Sequence, residues 1–187
     1  MNHFRSLVIG FLASLLVVCG ASQSRGAGTA QDPCGPNSGP PANHPPDFRT
    51  CKQIFDSLSQ SPIVTRQAFG GPPQETFGSS VLTFALNSAE IRPSAFAQLD
   101  ELGRVLQYSG FDGKQFVVVG YTDKSGSHEH NIVLSRRRAD AVIGYLKKHF
   151  QIRAALRADG RADGELLDPA HPFDEVNRRV VVERTTE

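Results

Sequence analysis

Gln115-Phe116-Val117-Val118-Val119-Gly120-Tyr121-Thr122-Asp123-Lys124-Ser125-Gly126, continuing through Asn131-Ile132-Val133-Leu134-Ser135-Arg136-Arg137-Arg138-Ala139, is the stretch whose reading decides the fold. Phe116 to Val119 form an unbroken β-branched and aromatic run, bounded by a Gly and Ser loop, which predicts a buried strand over 115–120. The residues beyond the loop change period. At about 100° per residue along a helix from Asn131 to Phe150, Ala139, Val142, Ile143, Leu146 and Phe150 gather on one side, as an amphipathic helix packed on a core requires. Arg137 then points nearly opposite, into water, and Arg136 lies on the other flank. Arg138 falls at the edge of the buried face, beside Asn131 and Ser135, so these three polar groups can line one cleft.

This stretch resembles the signature of the OmpA C-terminal-like family, in which a strand ends in Gly-His-Thr-Asp and the next helix opens with Asn-x-x-Leu-Ser-x-x-Arg-Ala. Asp123 and Arg138 keep the family spacing, while Tyr121 stands where the family has histidine. A second match is the ending Asn177-Arg178-Arg179-Val180. A third is Phe84-Ala85-Leu86-Asn87-Ser88-Ala89-Glu90-Ile91, with Ala85 and Leu86 where many members have Asp and a polar residue. The resemblance covers about residues 80 to 187 and implies a noncatalytic domain that binds peptidoglycan. It assigns Asp123 to the ammonium and Arg138 to the carboxylate at the free end of diaminopimelic acid in the stem peptide. The chemistry suits such a zwitterion, because charge-assisted hydrogen bonds orient as well as attract, and the arginine fork can meet a carboxylate with two parallel bonds. The resemblance also brings in Asn87, Asn131 and Thr122 as ligand contacts. Asn131 has a second reading as a helix cap, for which Asn is favoured. Gly160 to Glu165 only loosely resembles a family loop and receives no ligand role.

The N-terminus carries Arg5, then an almost wholly apolar run from Leu7 to Val18 that is too short to span a bilayer, the pattern of a secretory signal peptide over residues 1–21. Two processing outcomes fit. Cleavage can follow Ala21, or Leu16-Val17-Val18-Cys19-Gly20 can act as a bacterial lipobox with Cys19 lipidated, although Val18 stands where Gly or Ala is usual. Both leave Cys34 and Cys51, which in an oxidising compartment read as a disulfide rather than a metal site. The chain is therefore expected in the periplasm, either free there or associated with the outer membrane through a lipid on Cys19 or through a partner. Formal net charge is +1 and falls to 0 once Arg5 leaves with the leader. No clustered basic excess remains to neutralise nucleic-acid phosphates.

Nine of the twelve prolines lie between Pro33 and Pro73, so residues 22–75 read as a tether rather than a core. Within it Phe48, Cys51, Ile54, Phe55 and Leu58 repeat at helical spacing, which predicts an accessory helix over 48–59, capped by Asp47 and stapled by the disulfide. The domain itself is expected over 76–187: a strand at 81–86, a helix at 93–108, the strand and helix already described, and strands at 154–159 and 178–183. Strands alternating with helices give an α/β fold of βαβαββ type, a mixed sheet with helices packed on one face.

Two other functions compete. His128-Glu129-His130 near Asp123 invites a metal-dependent enzyme, yet the histidines are two apart in a Gly and Ser loop, where zinc hydrolases place them four apart on a helix. No cofactor is expected. The other rival is an envelope protein-protein interaction module of the same fold without peptidoglycan binding, to which Tyr121 and Ala85 lend weight. Retention of both Asp123 and Arg138 argues for the ligand, since a partly exposed ion pair contributes only ~0–1 kcal/mol to stability by itself.

Overall fold

A computed structural model describes residues 33–35, 49–60 and 79–185. The signal peptide with Cys19, and most of the tether including Asp47, lie outside the described residues. Helix α1 spans Cys51–Gln60, strand β1 Ser79–Thr83, helix α2 Phe96–Leu106, β2 Gln115–Gly120, α3 His128–His149, β3 Ala155–Gly160 and β4 Arg179–Thr185. The strands form one sheet in the order β1-β4-β2-β3. β4 runs antiparallel to both β1 and β2, and β2 runs parallel to β3, as a strand-helix-strand crossover through α3 demands. The expected βαβαββ order and mixed sheet are thus the observed ones.

Side-chain alternation on β2 divides the molecule into two faces. Phe116 and Val118 point to the helical side, where they meet Val180 and Val182 of β4, Leu99, Leu102, Val105 and Leu106 of α2, and Ala139, Val142 and Leu146 of α3. Val117, Val119, Tyr121 and Val181 form a smaller cluster on the other side. No described helix covers that second face. Over Tyr121 the cover is instead the guanidinium of Arg179, 3.9 Å from the ring centroid, with Arg161 further out.

Two helix starts differ from the sequence expectation for the same reason, a cap that periodicity does not reveal. α3 begins at His128 rather than near Asn131 because Ser127 accepts a hydrogen bond from the His130 amide. α1 begins at Cys51 because Thr50 and Gln53 cap each other: Thr50 N donates to Gln53 Oε1 at 2.9 Å and Gln53 N to Thr50 Oγ1 at 3.4 Å. A short 3-10 turn, Pro93–Ala95, leads into α2 with Pro93 at the position where its missing N–H costs nothing.

α1 is joined to the core, with Cys51, Ile54 and Leu58 fully buried in the main cluster. The buried Gln98 amide of α2 also holds the segment just before it, accepting from Arg49 N at 2.6 Å and donating to Arg49 O at 2.9 Å. Cys34 and Cys51 are bonded across 17 residues, the pairing expected from the sequence. A crosslink of that span stabilises by roughly 3 kcal/mol, mainly by restricting the unfolded chain. Replacing both cysteines with serine is therefore expected to lower the unfolding free energy by about that amount in urea titrations; unchanged midpoints would contradict it. Among the described residues no helix is long and apolar enough to cross a membrane.

Candidate functional site

The site is built where α3 presses on the C-terminal ends of β2 and β3. A Cβ on Gly120 would lie 1.9 Å from the Ser135 carbonyl oxygen, and one on Gly160 would lie 2.7 Å from the Arg136 nitrogen. Only glycine permits so close a helix-strand approach. The chain then leaves β2 with Tyr121 N bonded to Arg179 O and Thr122 N to Ala162 O, each at 2.8 Å. That backbone lock delivers Asp123 to the mouth of the sheet.

Asp123 is almost wholly buried and fully engaged. Its Oδ1 accepts from Ser125 N at 3.0 Å, closing a turn, and its Oδ2 accepts from Arg178 Nη1 at 2.7 Å. Asn131 secures the same loop from below, its amide donating to Asp123 O at 3.4 Å and Ser125 O at 3.0 Å. Capping belongs to Ser127, so Asn131 is a loop anchor instead of the helix cap. Thr122 is buried, and its hydroxyl has no hydrogen-bond partner among the described residues.

Arg138 lies deeper than the helical wheel places it, with 0% of its surface exposed. Its Nε donates to Ser88 O at 2.8 Å, Nη1 to Tyr121 O at 2.9 Å and Nη2 to Ala85 O at 3.0 Å. The guanidinium also stands 5.3 Å from the centroid of the Phe84 ring. Of its five N–H groups three are thus spent on backbone carbonyls, and one remains on each Nη. Burial lowers its pKa to about 10, with Asp123 pulling upward and Arg178 pushing down. It stays charged at neutral pH. Ser135 is likewise occupied within the fold, accepting from Ala162 N at 3.1 Å.

Asn87 sits on the loop that Arg138 holds, with φ of 52°, a left-handed conformation that Asn tolerates better than most residues. Its Oδ1 accepts from His130 Nε2 at 2.8 Å. The structure therefore brings Asp123, Thr122, Asn131 and Arg138 together, and places Asn87 on the wall beside them.

Arg178 is the member that sequence reasoning left without a role. Besides Asp123 it bonds Phe84 O through Nε at 3.0 Å and Phe173 O through Nη1 at 3.2 Å. Its signal was present in Asn177-Arg178-Arg179. Neighbours at the start of a strand face opposite ways, so Arg178 turns to the site while Arg179 goes to the far face over Tyr121. Two arginines and one aspartate leave the centre with one net positive charge. Leu86 and Phe173, both largely exposed, lie on the loops whose carbonyls hold Arg138 and Arg178.

His128 and His130 occupy the first turn of α3, where the sequence suggested a loop. They diverge, His130 to Asn87 and His128 Nδ1 to Asp163 Oδ1 at 2.8 Å. Among the described residues no group of three His, Cys, Asp or Glu side chains is arranged to hold a metal. Asp163 also takes Lys124 Nζ at 2.9 Å, tying the loop after Asp123 to the segment after β3. These two hydrogen bonds, Lys124 first, hold its pKa at about 2, below the usual 3.8. A depressed carboxyl pKa contributes stability that is complete above the unfolded value and lost as pH falls through the folded one. Melting temperature is therefore expected to drop between pH 4 and pH 2 by more in the wild type than in Asp163→Asn. Parallel curves for the two proteins would contradict this.

On the far face Tyr121 OH donates to Glu165 Oε2 at 3.1 Å and accepts from Arg161 Nη1 at 3.0 Å. Burial pushes the phenol pKa well up, so it stays neutral. Tyr121 thus serves the site through its backbone carbonyl on Arg138 while its ring faces away.

Comparison with known proteins adds four findings. The model of the OmpA family matches residues 83–179, more than half of the chain. Outer membrane protein A of Escherichia fergusonii is 45% identical over 73 residues, 38% of this chain and 29% of that protein. Outer membrane protein P5 of Haemophilus influenzae is 36% identical over 83 residues, 44% of this chain and 23% of that protein. The chain thus matches less than a third of either relative's length. Among solved structures, the peptidoglycan-associated lipoprotein from Burkholderia pseudomallei aligns with a TM-score of 0.47 at 22% identity, covering 56% of this chain and 89% of that one.

Proposed function

Because this chain belongs to the OmpA family over residues 83–179, we propose that it binds cell-wall peptidoglycan in the periplasm, reading the zwitterionic free end of diaminopimelate in the stem peptide. The observation that carries this reading is the placement of Asp123 between two arginines, one buried and one at the mouth. Asp123 offers the anion for the ligand's ammonium, which displaces part of Arg178's hold on it. The released Arg178 fork and the remaining Nη hydrogens of Arg138 then face the ligand's carboxylate. The net positive charge of the centre suits a ligand that brings both signs, because the carboxylate neutralises it as the ammonium shares Asp123. Thr122 and Asn131 keep the Asp123 turn in position, and Leu86 and Phe173 offer apolar surface to the methyl group of the D-alanine that follows diaminopimelate in the peptide.

Binding of this kind needs no bond chemistry, and OmpA-like domains are noncatalytic structural modules. The tether makes the domain a fastening between the wall and whatever holds the N-terminal segment, an outer-membrane lipid on Cys19 or a partner protein. Co-sedimentation with purified sacculi tests the reading. Wild type is expected in the pellet, and a variant carrying Asp123→Asn with Arg138→Lys in the supernatant. Equal pelleting of both proteins would defeat it.

A further inference from the structure

A second groove adjoins the loop that Arg138 holds. Its volume is about 440 Å³, and it is lined by Asn87, Ala89, His130, Val133, Leu134 and Arg137. The two sites share a wall. Ala85 and Ser88 turn their carbonyls inward to Arg138, while Asn87 and Ala89 of the same turn face the groove. Arg137 and Arg138 are neighbours on α3, about 100° apart around its axis, so one cation serves each side of the wall.

The lining has a definite chemistry. It contains no carboxylate. Arg137 is exposed and forms no ion pair with the described residues, in contrast to Arg136, which reaches Asp140. Asn87 spends its Oδ1 on His130, so its Nδ2 group is the part left to donate. Ala89, the half-exposed Val133 and Leu134 supply an apolar floor. A guanidinium and an amide donor above a short apolar floor match a carboxylate on a small aliphatic body, since a planar fork takes a carboxylate with two hydrogen bonds.

We propose that this groove is a second anion subsite that takes another carboxylate of the same stem peptide, so that Arg137 contributes to recognition beside Arg138. The inference rests on the peptidoglycan reading above and extends it from one amino-acid end to the adjoining peptide. Two carboxylates of a tetrapeptide stem carry this chemistry, the α-carboxylate of the γ-linked D-glutamate and the C-terminal carboxylate of D-alanine. Both lie one residue from diaminopimelate.

Calorimetric titration separates the sources. The probes are the unmodified tetrapeptide, the same peptide amidated at D-glutamate, the same peptide amidated at its C-terminus, and free diaminopimelate. The proteins are wild type, Arg137→Gln and Arg137→Lys. One of the two amidations is expected to weaken wild-type binding by about three- to fivefold, the range of an exposed charge pair, and the one that does so names the carboxylate. Arg137→Gln is expected to bind the unmodified peptide with the same loss and to be indifferent to that amidation, with Arg137→Lys recovering part of the difference. Free diaminopimelate is expected to bind all three proteins equally. Wild-type indifference to both amidations would overturn the subsite while leaving the diaminopimelate reading intact. So would an Arg137→Gln protein equally impaired toward free diaminopimelate, which would place the effect at Arg138. Failure of every probe to bind any protein would overturn both readings together.

Discussion

Arg138→Ala is expected to lower the unfolding free energy by about 3–5 kcal/mol, the cost of leaving three buried carbonyl acceptors without their donor. The side chain is fully buried, and its guanidinium is the donor for the carbonyls of Ala85, Ser88 and Tyr121. Truncation leaves those three acceptors facing a cavity against Phe84. Each buried acceptor without a donor costs ~1–3 kcal/mol unless water reaches it. Asp123 is not stranded, because Arg178 still pairs with it, which limits the loss. Arg138→Lys keeps the charge but has no planar fork to span three divergent carbonyls, so a smaller loss of about half that size is expected. Urea denaturation followed by circular dichroism checks both values. A loss below about 1 kcal/mol for Arg138→Ala would show that the arginine is not held as described.

Such a residue is a structural strut as well as the charge proposed to meet the ligand, and this combination explains what the sequence could and could not reveal. The helical wheel put Arg138 at the border of the buried face, and the run Phe116 to Val119 marked β2 correctly at both ends, because both signals are local periodicities. The depth of Arg138 is not local. It depends on the loop from Ala85 to Ser88 folding over the guanidinium, a contact about fifty positions away in the chain. Arg178 escaped for the same reason: its partner Asp123 is distant in sequence, and an arginine in an Arg-Arg pair gives no indication of which member faces the site. Alternation along β4 resolves that only once the strand's buried face is known. The caps Ser127 and Thr50 are short-range signals that the apolar pattern overshadowed. Cys34 and Cys51 were legible by compartment and count, whereas the burial of Ile54 and Leu58 against α2 required the packing itself.

Selectivity between stem peptides carries the other large effect. Diaminopimelate presents an ammonium and a carboxylate at its free end, while lysine at the same position presents the ammonium alone. The lysine peptide would bring a second cation into a centre that already carries one net positive charge, and would leave Arg178 displaced from Asp123 without an anion to meet. Losing a hydrogen bond to a charged group costs ~1.5–3 kcal/mol, which corresponds to roughly tenfold to a hundredfold in affinity. Low salt should widen the difference for Arg178 at the mouth more than for the buried Arg138, since screening acts on exposed charges.

Calorimetric titration of the wild-type protein with two stem peptides that differ only in diaminopimelate or lysine at the third position tests the central claim most directly. The account predicts saturable binding of the diaminopimelate peptide and roughly ten- to a hundredfold weaker binding of the lysine peptide. Equal affinity for the two, or no binding of the diaminopimelate peptide, would contradict it.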